Sequence, residues 1–515
     1  MTELRLQDAP SSRRSGGVSS GWPRNPAVAG FLALVLAAAA GAGPRHLFLD
    51  PALLAQRERA ELHVNPPQRS EIVIVPDRPW EKRMISFYTT VIDEGGRLRM
   101  WYICRDDANR PNLAYAESVD GVNWTKPVLG LAGHGGSKQN NLVGVPSLDG
   151  AVFRDPRAEP GEEYVYVSHA TSEGTFRYTS PDGLRWRRDA EPLLPFRADT
   201  QNIAFWDERV GRYVLYLRAW DVGGEWRDRL RKVVRLELET LARPADVRPS
   251  GRGANPENPR DRPRIVDEIP TVLRADAGDP PGTDVYTIAA QRYPLDPRWY
   301  VGFPSLFLRD RHISDGRLEV QFIGSRDGVR WERYDRAPYV APGLAGGESQ
   351  NMTYIGPGLV VRGDEIWQYG TGFRGRHGAV EERKLRPEGA IYRHVQRVDG
   401  FVSLDTGGAP GWARTVPVPV EAARLRLNVD TGALGNLRVA LLDGAGRPLP
   451  GFSADDCDPV WTNATGAEVS WRGNSDLTAL RGREVSLEFR SHRTKLYSFR
   501  FESETQSDPV VPRRP

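Results

Sequence analysis

Five acidic residues stand at or just before the first strand-like stretch of a recurring unit: Glu81, Asp149 or Asp155, Asp199, Asp284 and Glu348. Carboxylates that converge on one point can share the work of cleaving a glycosidic bond. One is held protonated and donates to the leaving oxygen, and another stays ionised as nucleophile or base. Crowding like charges raises at least one of their pKa values without further machinery. The reading takes Glu81 and Asp199 as the acid/base pair, with Asp155 orienting or tuning them. Spacing alone leaves open whether Asp149 or Asp155 is the inward-facing acid of the second unit. An acid before a strand is also an ordinary turn residue, and 27% of the chain is charged, so the set of five matters more than any member.

Around these acids the expected substrate-binding groups are Asp149, Arg154, Asn202, Asp284, Tyr286, Glu348, Gln350, Asn351 and His377. Amides and aromatic rings are how proteins hold sugar hydroxyls and ring faces. Asn202 and Asn351 serve equally well as strand caps. No His/Cys/Asp cluster has the spacing of a transition-metal site, so no metal ligand is assigned. The central carboxylates leave room for a structural calcium ion, and no other cofactor is expected. Neither a glycine-rich phosphate loop nor a Ser-His-Asp signature is present.

The elements that must position these residues are announced by a repeated turn phrase. It reads Ser118-Val119-Asp120-Gly121-Val122-Asn123-Trp124, then Ser180-Pro181-Asp182-Gly183-Leu184-Arg185-Trp186, then Ser325-Arg326-Asp327-Gly328-Val329-Arg330-Trp331. A worn copy follows at Arg397-Val398-Asp399-Gly400-Phe401. The four Asp positions are 62, 145 and 72 residues apart, and the double gap implies a unit that lost its phrase. Val233 to Glu237 is taken as its remnant. Five units of this length in an all-β sequence predict a five-bladed β-propeller.

Asp-Gly between apolar runs is a hairpin signal, because glycine accepts φ > 0 at no steric cost. The Ser and Asp side chains can bond nearby amides, and the Trp should pack between blades, worth roughly 2–3 kcal/mol if fully buried. The phrase therefore reads as structural and belongs on a rim away from the chemistry. Five inner hairpins support the count. They join 90–93 to 100–102, 152–155 to 164–166, 203–206 to 213–216, 285–288 to 299–301 and 352–355 to 365–367. Each has the alternation and the β-branched and aromatic residues of strands.

The first 44 residues read as a signal peptide and leader, with Arg13, Arg14 and Arg24 before the apolar run Ala27 to Gly41 and cleavage near residue 42. That predicts a secreted or periplasmic bacterial protein with no membrane segment in its mature form. Residues 45 to 405 are assigned to the propeller, the stretch from 45 to about 80 being able to supply a closing strand. Ala242 to Pro263 reads as a long loop. Residues 406 to 505 show short alternating strands and are assigned to a C-terminal antiparallel β-sandwich, and 506 to 515 to a disordered tail.

Composition narrows the partners. A net charge of +3 is too small to argue for nucleic acid. Lys occurs at six positions, so nearly all basic residues are Arg, which suits either a GC-rich genome or a site for acidic sugars. Two cysteines, Cys104 and Cys457, make no disulfide framework. The expected partner is a carbohydrate, and nothing in the sequence sets the oligomeric state.

Five blades followed by a β-sandwich resemble the furanoside-cleaving enzymes of the invertase and levanase type, glycoside hydrolase family 32. The propeller also resembles the arabinanase and xylosidase type, family 43. Arg154-Asp155-Pro156 matches the Arg-Asp-Pro motif of the invertase type, whose Asp stabilises the transition state. The departures are clear. Blade one has Pro79-Trp80-Glu81 where that type has Asn-Asp-Pro, and blade three has Asp199-Thr200-Gln201-Asn202 where it has Glu-Cys. In the arabinanase register Asp149 would face the funnel and Asp155 would be a turn residue. The resemblance implies an exported glycoside hydrolase acting on a poly- or oligosaccharide, possibly a furanoside. The alternative is a binding or adhesive propeller that kept the fold and lost the chemistry.

Overall fold

Each copy of the turn phrase closes on itself in the same way. Ser118 Oγ accepts from the Gly121 amide at 2.9 Å, and Asp120 Oδ1 accepts from the Val122 and Asn123 amides at 2.9 and 2.8 Å. Asp182 takes the amides of Leu184 and Arg185 at 2.9 and 2.8 Å, and Asp327 those of Val329 and Arg330 at 2.8 Å each. Partial burial works to raise these three carboxyls, but the hydrogen bonds outweigh it and hold them below the usual range.

The glycine of the phrase does a second job between sheets. Gly121, Gly183 and Gly328 have φ of 74°, 70° and 71°. Their carbonyls accept from Tyr369 Oη at 3.0 Å, Trp101 Nε1 at 2.7 Å and Tyr216 Oη at 2.8 Å, all from neighbouring sheets. A Cβ at these glycines would come within 2.6, 2.6 and 2.5 Å of the same three aromatics. The phrase therefore sets how closely consecutive sheets approach. The tryptophans Trp124, Trp186 and Trp331 end half-buried against Tyr369, Tyr166 and Tyr216.

The computed structural model describes residues 43–146, 149–170, 174–199, 201–221, 230–247, 269–310, 314–378 and 387–503. The expected signal peptide, the tail from 506 and most of the 242–263 stretch lie outside the described residues. Among the described residues the chain forms strands, short 3-10 turns and no α-helix, and no helix is long and apolar enough to cross a membrane.

Five antiparallel sheets follow one another, the fourth and fifth merged into one nine-stranded sheet by a parallel contact between Leu318 and Met352. The first pairs Met84–Asp93, Leu98–Arg105 and Pro111–Ser118. The second runs Val152–Arg154, Tyr164–Ala170, Gly174–Ser180 and Arg187–Arg188. The third runs Ile203–Asp207, Arg212–Trp220, Arg231–Leu238 and Thr271–Leu273. The fourth runs Thr283–Val285, Ser305–Arg309, Gly316–Gln321 and Pro338–Val340, its strands continued by a small sheet of Gln291–Arg292, Tyr300–Gly302 and Ile323–Ser325. The fifth pairs Met352–Ile355 and Val360–Arg362 with Glu365–Phe373, then Ala390–Arg397, then Arg69–Ile74 from the lead-in.

Both faces of each sheet are buried, since side chains alternate between the two neighbours. Ile203 packs with Val285 and Leu306 of the fourth sheet, whereas the next residue, Ala204, packs with Val165 and Val167 of the second. Further clusters join the first sheet to the second through Trp101 and Tyr164, and the fourth to the fifth through Val301 and Ile366. A last cluster joins the fifth back to the first through Tyr369 and Met100. The order of packing thus returns to its start.

Two further antiparallel sheets enclose one core that includes Phe48, Leu427, Val439, Trp471, Phe489 and Phe499. Their strands come from 402–502, with His46–Leu47, Leu54–Glu58 and Ala60–Val64 added from the lead-in. The expected boundary at 405 differs from these pairings. Strand Val402–Thr406 and the lead-in up to Val64 pair with C-terminal strands, because Phe48, Leu53, Ala60 and Leu404 complete that core.

Two local readings are corrected. Val233 to Glu237 is no remnant of the turn phrase: it lies inside the regular strand Arg231–Leu238, and the phrase would fall after that strand. In the fourth unit Val285 pairs with Leu306, and 300–301 pairs with 291–292 instead of 285–288. The strand between is interrupted at Ala289, whose φ is 42°. Cys104 and Cys457 are both free and buried.

Candidate active site

At the starts of the first strands of the second and third sheets, four polar residues meet. Gly150, with φ 106°, lets the chain press against the second strand, where a Cβ would strike the Val167 carbonyl at 2.5 Å. This close approach seats Asp149 beside Ser168 and His169. Asp149 Oδ1 accepts from Ser168 Oγ at 2.9 Å, the His169 amide at 3.1 Å and Asn202 Nδ2 at 3.4 Å. Its Oδ2 bonds His169 Nδ1. Asp149 and His169 are each 1% exposed. His169 Nε2 and Asn202 Oδ1 are buried with no hydrogen-bond partner.

Asp199 differs in access. Its side chain is 29% exposed, with Arg197 Nη2 at 3.2 Å and Arg218 Nη1 at 3.8 Å from its oxygens. One donor atom from each of Asp149, His169 and Asp199 lies within 4.8 Å of the others. A buried carboxylate–imidazole pair thus stands behind a carboxylate that solvent can reach.

The fourth and fifth sheets supply an aromatic wall. Arg218 lies over the Tyr286 ring at 4.0 Å and donates to the Tyr286 carbonyl from Nη2 at 2.9 Å. Burial works to lower the Arg218 pKa, but Tyr286, Tyr88 and Asp199 outweigh it and raise it above the ordinary value. Tyr286 Oη and His377 Nε2 are 2.8 Å apart, and His377 Nδ1 is 2.6 Å from the Ser314 carbonyl. The carbonyl can only accept, so His377 carries its proton on Nδ1 and Tyr286 donates to Nε2. Phe87 stacks on His377 at 5.9 Å between centroids, and Phe307 meets it edge-on at 5.3 Å.

Several expected site residues are placed elsewhere or engaged otherwise. Glu81 is 0% exposed and fully occupied: Tyr102 Oη at 2.6 Å, Lys126 Nζ at 2.7 Å and the Asp77 and Arg78 amides at 3.0 and 3.2 Å. It knits its own sheet together and shares no partner with Asp199. Asp155 is a turn residue that accepts from Tyr213 Oη at 2.8 Å and the Arg157 amide at 2.9 Å. Arg154 lies at the far end of the strand that begins near Asp149. Of the two acids left open in the second unit, it is Asp149 that joins Asp199.

Asp284 is buried under Arg231 at 2.9 Å and Arg309 at 2.8 Å. Glu348 pairs with Arg374. Gln350 Oε1 accepts from the Gly346 amide at 2.6 Å within its turn, and Asn351 caps its strand by donating to the Arg374 carbonyl. The sequence reading missed His169, Ser168, Arg197 and Arg218. Ser168-His169 sits at the end of an apolar strand, and a polar pair there was the signal available.

The Asp149, His169 and Asp199 donors do not suit the expected calcium ion, which takes oxygen ligands. Imidazole with two carboxylates fits a transition metal better. Arg197 and Arg218 already place positive charge against Asp199, which opposes a further dication.

No family model matches the chain, and no curated protein does. Solved structures that align with it include one described as a glycoside hydrolase (TM-score 0.42, 13% identity, 64% of this chain and 92% of that one). Another is a glycoside hydrolase family 43 arabinoxylan arabinofuranohydrolase from Bacillus subtilis in complex with cellotetraose (0.34, 13%, 82% and 96%). A third is an N-acetylgalactosamine deacetylase from F. plautii in complex with blood group B trisaccharide (0.40, 14%, 67% and 97%).

Proposed function

We propose that the five consecutive sheets are the blades of a five-bladed β-propeller, that the two C-terminal sheets form a β-sandwich, and that the chain is an exported glycoside hydrolase. The packing order that runs from the first sheet to the fifth and back supports the ring. A ring brings the starts of all five first strands to one mouth. The observation that carries the function is Asp199, a carboxylate in reach of solvent that Arg197 and Arg218 orient beside the buried Asp149–His169 pair of the neighbouring sheet.

In this reading Asp199 is the carboxylate that touches substrate. Arg197 and Arg218 hold it in one orientation. Asp149 is a positioning residue: too buried to touch a sugar, it holds Asn202 and His169 against the site. Phe87 and His377, both half-buried, offer ring faces to a pyranose or furanose, and Tyr286 holds His377 in place. Asp284 and Glu348 brace the mouth through their arginines.

A second reading is a carbohydrate-binding propeller without hydrolysis. It is favoured by one observation: Glu81, Asp284, Glu348 and Asp199 are each paired with Lys or Arg, and Glu81 and Asp284 are fully buried as well. Reducing-end release from plant, algal and bacterial glycans separates the two. Wild type should release sugar, Asp199→Asn should lose at least a hundredfold while keeping its melting temperature, and Asp149→Asn should lose activity and stability together. Glycan retention on an affinity gel without release by wild type would establish the binding reading. Full activity in Asp199→Asn would remove the proposed site.

A further inference from the structure

A second cavity lies at the opposite end of the five first strands from Asp199. It has a volume of about 400 Å³ and takes wall residues from every one of the five sheets, among them Ile92, Phe153, Phe205 and Pro357. Its size and apolar lining are those of a small-molecule site. Three polar groups on the wall decide what it would take. Arg154 is exposed and makes no hydrogen bond or ion pair. Gln291 Oε1 accepts from the Gly358 amide at 3.1 Å, which leaves its buried Nε2 with no partner. Arg292 is neutralised by Asp207, yet its Nε is also buried and unpartnered.

These groups are all donors. Buried N–H groups left without acceptors are costly, and an occupant with acceptor oxygens relieves that cost. Glu208 is the one carboxylate of the lining and is exposed to solvent at the rim. The apolar part of the wall is mainly aliphatic, with Ile92, Val152, Ile203 and Pro357, and Phe153 and Trp206 add half-buried rings to it. We infer that this cavity binds a small apolar carboxylate, its hydrocarbon part against this wall and its acid group toward Arg154 and Gln291. An Arg fork meets a carboxylate through two parallel bonds, so the charge of the ligand is read as well as its shape. The inference stands apart from the glycosidase reading, since it uses none of the same side chains.

Titration of the full chain with 4-hydroxybenzoate and with its neutral methyl ester tests it, by calorimetry and by tryptophan fluorescence. Wild type should bind the acid saturably and at least tenfold more tightly than the ester. Arg154→Gln should lose at least tenfold for the acid and nothing for the ester. Gln291→Glu keeps the acceptor for Gly358 and replaces the free donor by a carboxylate, and should also weaken the acid. Asp199→Asn should bind the acid as wild type does. No saturable binding of the acid, equal binding of acid and ester, or an unchanged Arg154→Gln would each overturn the proposal. So would binding that disappears in Asp199→Asn, because it would place the ligand at the other end of the strands.

Discussion

The guanidinium of Arg218, on the second strand of the third sheet, stacks 4.0 Å above the ring of Tyr286 in the fourth and donates to that residue's carbonyl. One side chain thus ties two sheets together while its far nitrogen faces Asp199 at 3.8 Å. The stack needs a planar cation, and one nitrogen must bond the carbonyl while the other faces Asp199; Lys has a donor but no planar fork to do both. Arg218→Lys should therefore cost about 1–3 kcal/mol in denaturant unfolding. It should also lower glycan release more than tenfold, because Asp199 loses its support. An unaltered rate would show that Arg218 serves packing alone.

Glu81→Gln separates structure from catalysis. The substitution puts an NH2 group where Oε2 now accepts from Lys126 and two amides, so donors face donors. Breaking a buried pair in this way costs on the order of 3 kcal/mol. The expected result is a lower unfolding midpoint with glycan release near that of wild type at 25 °C. Loss of activity in a fully folded Glu81→Gln protein would return Glu81 to the chemistry.

Gly183→Ala should destabilise the chain without touching the site. The residue has φ 70°, and its new Cβ would meet Trp101 at 2.6 Å. Strained backbone and overpacking together predict a loss of about 2–4 kcal/mol. The same change at Gly161, whose φ is 91° but around which nothing lies within 4 Å, should cost only the backbone part. Equal losses at the two sites would contradict the role given to the turn phrase in sheet packing.

Acid should weaken the fold before its carboxylates titrate. Burial pulls the His394 imidazole down to about 4, and Ser70 Oγ lies 2.7 Å from its Nδ1. A folded pKa below the unfolded value means that the unfolded chain binds the proton first. Stability from this group is therefore complete above the unfolded pKa of about 6.5 and falls as the pH drops toward 4. The loss should reach about 2 kcal/mol by pH 5. Urea unfolding at pH 7.5 and pH 5, for wild type and His394→Gln, measures it. A pH difference of the same size in His394→Gln would assign the effect to other groups.

Some of this was legible from the residues in order. The turn phrase could be read because its bonds are local: Asp120 reaches amides two and three residues on, and the left-handed glycine follows at once. Strand alternation and the inner hairpins of the first three units are local for the same reason, as each pairs neighbours across a short turn. The lead-in strand Arg69–Ile74 and its partner Ala390–Arg397 were only foreshadowed, since their pairing spans more than three hundred residues.

The site was decided by tertiary structure. Glu81 and Asp199 look alike in sequence, each an acid ahead of an apolar strand. Lys126 and Tyr102, distant in sequence from Glu81, absorb the first, while Arg197 and Arg218 leave the second in reach of solvent. Asp149 and Asp155 differ by six positions, yet one meets His169 at the start of the strand and the other turns away to Tyr213. An acid's role depends on which charges the packing brings to it, and those charges come from strands and turns well separated from it in sequence. Sequence determines the turns and strands through bonds between near neighbours. Only the packed sheets determine which carboxylate remains available for chemistry.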